Sequence, residues 1–211
     1  MVFFGTISGF SLSVGLFLQI GLGYSPMGAS AAMVSWSVGA FLGSGFAATT
    51  MQKLGRTLLH IGLVIMTAGT ALLYFVFTHY GVAVGAWDLV LPLLIFGSGM
   101  GMIFVPLFDI IMAGVEDHEV GSASSVLESL QQLGATLGVA VLGTVFFSAV
   151  GANAGSQFRE AAVHGAEHVA LISLALGFVT IFVGFLLPAN VRATTAHAEQ
   201  DDVPEATLAA V

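Results

Sequence analysis

Two acids and three amides in this chain stand inside apolar sequence, where a polar side chain must have a use. Asp109 lies in GMIFVPLFDI (101–110), Glu128 in VLESLQQLGATLG (126–138), and Gln131 and Gln132 follow Glu128 at three and four residues. Gln19 sits in LFLQIGLG (16–23). An ionisable group at such depth is rare and tends to mark a proton relay or ion path, so Asp109 and Glu128 are proton-coupling candidates. Amides bind substrate or hydrogen-bond across helices, which makes Gln19, Gln131 and Gln132 substrate-cavity candidates. Lys53, Gly55 and Arg56 in MQKLGRT (51–57) face Glu116, Asp117 and Glu119 in GVEDHEVGS (114–122). An ion pair between these two breaks would act as a cytoplasmic gate latch.

Other chemistries find no residues to run on. With no cysteine, thiol catalysis, disulfides and Cys-ligated zinc are excluded. His60, His79, His118, His164, His168 and His197 form no paired metal spacing within a span. HGAEH (164–168) lacks the H-E-x-x-H order of a zinc protease, so no metal site is expected. The run GSGMG (97–101) has no strand before it and reads as packing, not as a phosphate loop. An intramembrane serine protease would need G-x-S-x-G and a deep histidine, and neither is present, so no enzyme is expected. The four Lys and Arg form no patch, which excludes nucleic acid as a partner.

Composition fixes the elements that must hold these groups. Of 211 residues, 57% are apolar and 8% charged, against about 25% charged in soluble domains. A soluble globule cannot bury that much apolar surface, so the chain is an all-α polytopic membrane protein. Six stretches, at about 2–22, 28–50, 57–78, 88–113, 122–150 and 168–187, are each long enough to cross about 30 Å of hydrocarbon. Residues 1–190 make one six-helix bundle and 191–211 a disordered acidic cytoplasmic tail. Pro26 restarts the second helix, Ser122 or Ser124 caps the fifth, and 151–168 is a long loop. Lys53, Arg56 and Arg192 against Arg159 put both termini in the cytoplasm.

Small residues at i, i+4 allow close backbone approach in lipid, and they occur as Gly5/Gly9, Gly39/Gly43, Gly97/Gly101 and Gly134/Gly138. Polar residues concentrate in spans one, four and five, which should face an interior or a watery cavity while three and six face lipid. On the fifth span Glu128, Gln131 and Gln132 should share one face, next to Gly134 and Gly138.

EDHEVGSASSVLESLQQLGATLGVAVLGTVFF (116–147) resembles the late-helix signature of 14-helix drug:proton antiporters of the major facilitator superfamily. The family pattern is roughly G-x-A-S-G, then N-x-x-(R/Q)-Q-x-G-G-x-x-G-x-A-x-x-G-T. Here Gly121, Ala123, Ser124, Gln131, Gln132, Gly134, Gly138, Ala140, Gly143 and Thr144 match, while Ser125 stands for a usual Gly and Glu128 for a usual Asn. LFLQIGLGYSPMGAS (16–30) is similar to the family's L-x-L-Q-x-x-x-G-x-S-P-x-x-A-G, and Lys53, Gly55 and Arg56 match the superfamily loop G-x-L-A-D-R-x-G-R-R. The resemblance covers about residues 1–190 and implies the C-terminal six-helix half of a multidrug exporter in the cell inner membrane. That half would work by alternating access on a proton gradient, with no other cofactor. Its implied partners are the bilayer, a small-molecule substrate and a second six-helix bundle, either an N-terminal half or another copy. The alternative is a non-transporting fragment or assembly subunit that lacks the N-terminal bundle.

Overall fold

The computed structural model describes residues 1–112, 115–116, 118–151 and 158–186, and only the backbone at Gln52, Arg56, Phe185 and Leu186. The expected tail at 191–211 lies outside the described residues. All regular elements among the described residues are helical. Helix α1 (Val2–Leu16) runs into a π-helical turn, Phe17–Gly21. Then follow α2 (Pro26–Ala32), α3 (Val34–Leu54), α4 (Arg56–Tyr80), α5 (Ala86–Met112), α6 (Val120–Gly151) and α7 (Phe158–Leu186). Among the described residues six spans are long and apolar enough to cross a membrane: α1 with its π turn, α2 with α3, and α4 to α7 singly.

Local chemistry explains the joints. Ser25 caps α2, its Oγ accepting from the Gly28 N–H at 3.1 Å, with Pro26 in the first turn where its missing N–H costs nothing. Gly55 alone separates α3 from α4, at φ 49° and ψ −123°, a region that β-carbons exclude. Two expectations are corrected. The last span begins at Phe158, not near 168, because Arg159 to Ala162 are helix formers and Ala161, Ala162 and Ala166 bury against the bundle. The fifth begins at Val120, and Ser122 donates to the Glu119 carbonyl at 2.8 Å instead of capping.

The pairs α3·α5 and α1·α6 pack closely, α1 and α5 meet through the rings of Phe3, Phe4, Phe10, Phe96 and Phe104, and α4 and α7 back them. Exchanging the first three spans with the last three maps α3·α5 onto α6·α1, α4·α5 onto α7·α1 and α3·α4 onto α6·α7, and leaves α4·α7 in place. A shift of three spans reverses direction, so the trios are related as an inverted repeat. Phe10, Trp36 and Phe96 join α1, α3 and α5 at the centre, with ring centroids 4.8–6.4 Å apart.

The expected glycine contacts form, and they form with one another. A β-carbon on Gly9 or Gly138 would overlap the backbone of the opposite helix at the α1–α6 crossing. At the α3–α5 crossing, Gly39 and Gly43 meet the carbonyls of Leu94 and Ser98, and Gly97 and Gly101 meet those of Trp36 and Ala40. Ser44 adds a hydrogen bond to the Gly101 carbonyl at 3.3 Å. The third span is expected to face lipid, and α4 packs against both α5 and α7 while leaving an apolar outer side, with Val64, Leu72 and Phe75 exposed. Its few polar residues, Thr67 and Thr70, are buried and donate to their own helix at Leu63 and Met66.

Candidate functional site

Two polar stripes run along the spans, one exposed on α6 and one half-buried on α1. On α1, Ser8, Ser11, Gly15 and Gln19 follow one side, opposite the buried Thr6, Phe10, Ser13 and Phe17. Thr6 and Ser13 donate to the carbonyls of Val2 and Gly9 and so need no outside partner. Gln19 is exposed and sits in the π turn.

On α6, Ser125, Glu128, Ser129, Gln132 and Thr136 are all exposed, on the side away from the glycine crossing. The hydroxyls of Ser125, Ser129 and Thr136 donate to carbonyls one turn back at 2.8–2.9 Å, which leaves their lone pairs outward. Gln132 Nε2 donates to Glu128 Oε1 at 2.8 Å. The face thus offers a carboxylate with spare acceptor positions, an orienting amide and a row of acceptor oxygens.

Gln131 does not join them. It turns to the side of Gly134 and lines a half-open apolar pocket of about 450 Å³, with Phe4, Leu63, Leu107, Leu127 and Val183. The expectation of one shared face fails because consecutive residues diverge by about 100° around a helix. Gln131 and Gln132 therefore point to different sides of α6.

At the end of the bundle that carries Lys53, Asp109 is exposed on α5. It continues the side of Met102 and Val105, which pack with Leu54 and Leu58 at the α3–α4 joint. Asp109 therefore stands on the side of the bundle where Lys53 and Gly55 lie. Among the described residues Lys53 forms no ion pair. His118 instead takes Glu116 at 3.4 Å and Glu119 at 4.0 Å. The Arg56 side chain and Asp117 lie outside the described residues, so the expected latch has only some of its members in view.

Sequence reasoning missed the opposite end. Arg159, at the start of α7, donates from Nε to the Gly21 carbonyl at 3.1 Å and from Nη2 to that of Leu22 at 3.4 Å. Tyr24 Oη accepts from the Ala86 N–H at 3.1 Å. No spacing rule links residues so far apart in the chain. The one available signal was a lone arginine following an apolar span whose last carbonyls lack partners. Among the described residues no group of three His, Asp or Glu is placed to hold a metal ion.

A six-span bundle of inverted trios with polar stripes along α1 and α6 is an integral membrane protein built for a polar route through lipid. The sequence pattern of the Major Facilitator Superfamily matches residues 1–139, and the chain belongs to that family of membrane transporters. It is 41% identical to the probable actinorhodin transporter of Streptomyces coelicolor over 163 residues, 77% of this chain and 28% of the relative. It is 31% identical to the putative multidrug resistance protein MdtD of an Enterobacter species (84% and 35%) and 30% identical to the puromycin resistance protein pur8 of Streptomyces alboniger (84% and 34%). The chain thus spans about a third of the length of these relatives.

Proposed function

We propose that this bundle is one half of a proton-coupled antiporter that exports small, partly apolar compounds by alternating access. The uncovered stripe on α6 carries the reading. A carboxylate and an amide facing acyl chains are costly, so this face meets water or a second protein surface. The stripes on α1 and α6 would line the route, with Gln19 and Gln132 contacting substrate. Glu128, oriented by Gln132, would exchange the proton, and Asp109 would be a second exchange point near the gate residues Lys53, Gly55 and Arg56. The facing wall would come from a second six-helix bundle, an N-terminal half or another copy of this chain. The membrane would be the cell inner membrane, with both termini cytoplasmic and the proton gradient as energy source. The names of the relatives, which speak of actinorhodin, puromycin and multidrug resistance, support a cargo of this class.

The test is substrate-driven proton flux in vesicles, comparing the parent with Glu128→Gln and Asp109→Asn. Loss of coupling in Glu128→Gln, with unchanged insertion, is expected. Normal coupling in both variants would remove these acids from the mechanism. The second reading is a non-transporting fragment or assembly subunit that lacks the N-terminal bundle. Under that reading, flux stays absent even when in-membrane cross-linking shows a second bundle seated on α1 and α6.

A further inference from the structure

We propose that Arg159 is a positioning residue that clamps the π turn of the first span and so fixes the setting of Gln19. The π turn is the one wide-turn segment among the described spans, and it holds the last polar residue of the α1 stripe. Its own bonds, Leu22 N–H to the Phe17 carbonyl and Tyr24 N–H to that of Leu18, both at 3.0 Å, leave the carbonyls of Gly21 and Leu22 without a helical partner. In lipid such groups must be satisfied from elsewhere. The Arg159 guanidinium does this with two donors from a neighbouring helix, placing a positive charge at the negative end of the span.

Two apolar contacts hold the turn from other sides. Phe17 meets Phe77 of α4 edge-on at 5.0 Å, and Gly21 lies so close to α7 that a β-carbon on it would come within 3.0 Å of Ala162. Ala162 and Arg159 are one turn apart, so α7 grips the turn by packing and by hydrogen bonds together. Loosening the grip frees the turn and moves Gln19, while Ser11, two turns deeper in regular helix, stays in place. The inference uses the reading of the α1 stripe as cavity wall only to give the position of Gln19 a purpose.

The chain has no cysteine, so Gln19→Cys and Ser11→Cys each carry one nitroxide label. Spectra are recorded in membranes for the parent, Arg159→Lys and Arg159→Gln. At position 19 one ordered component is expected in the parent. A mobile component should gain roughly tenfold in weight in Arg159→Gln, and less in Arg159→Lys, which keeps the charge and its donors but loses the planar fork that reaches both carbonyls. Position 11 should not change. Equal spectra at position 19 in all three backgrounds would overturn the proposal, as would an equal change at position 11, which marks general loosening. If Arg159→Gln does not accumulate, an unchanged spectrum in Arg159→Lys overturns it. The cavity reading is scored separately: relaxation at position 11 by oxygen but not by a water-soluble nickel chelate defeats that reading and leaves the Arg159 comparison standing.

Discussion

Gln132 Nε2 lies 2.8 Å from Glu128 Oε1, one helical turn away on the exposed side of α6. A neutral amide thus holds the carboxylate of the stripe in one setting. Because an amide can present either its N–H or its oxygen, it can partner the acid whether charged or protonated. Gln132→Leu keeps the size and removes that partner. Coupled flux should fall about tenfold in this variant, with Gln132→Glu no substitute, since two like charges a turn apart repel. Flux per inserted molecule in vesicles checks this.

The α1–α6 crossing tolerates no side chain. Gly138→Leu should destabilise the bundle by about 1–3 kcal/mol, through a helix shift of the kind overpacking forces. Gly45→Leu, where nothing lies within 4 Å of the added carbon, should stay within about 0.5 kcal/mol. Thermal unfolding in detergent separates the two.

Gly55 holds its helix joint at positive φ. Gly55→Ala should cost about 1–3 kcal/mol from backbone strain. Thr57→Ala, an exposed position two residues on, should be near neutral in the same melt.

The two tryptophans should report opposite surroundings. Trp36 is buried between Phe10 and Phe96, whereas Trp87 is 88% exposed at the start of α5. With Trp36→Phe, the remaining Trp87 fluorescence should be quenched strongly by acrylamide and by lipids brominated near the headgroup. With Trp87→Phe, the remaining emission should resist both.

The spans were legible because length and apolarity set them directly, and the glycine pairs were legible because i, i+4 small residues have few other uses in lipid. Which pair meets which was not, since Gly5 and Gly134 lie far apart in sequence. Gln131 was misplaced because three polar residues in five positions cannot all share one narrow face. The start of α7 was hidden by its charge: FREAA (158–162) reads as loop by polarity, yet Arg159 and Glu160 leave one side of alanines free to bury. The π turn and its arginine were out of reach, because a widened turn is set by what grips it from another helix.

Where α1 meets α6 and α3 meets α5, main chain rests on main chain. Such a seam has no rotamers to exchange and no slack to take up. Each pair of helices therefore travels together, as two planks glued along an edge. Any swing that exposes the stripes to one side of the membrane and then the other must pivot outside these seams, leaving the inside of the block unchanged through the stroke.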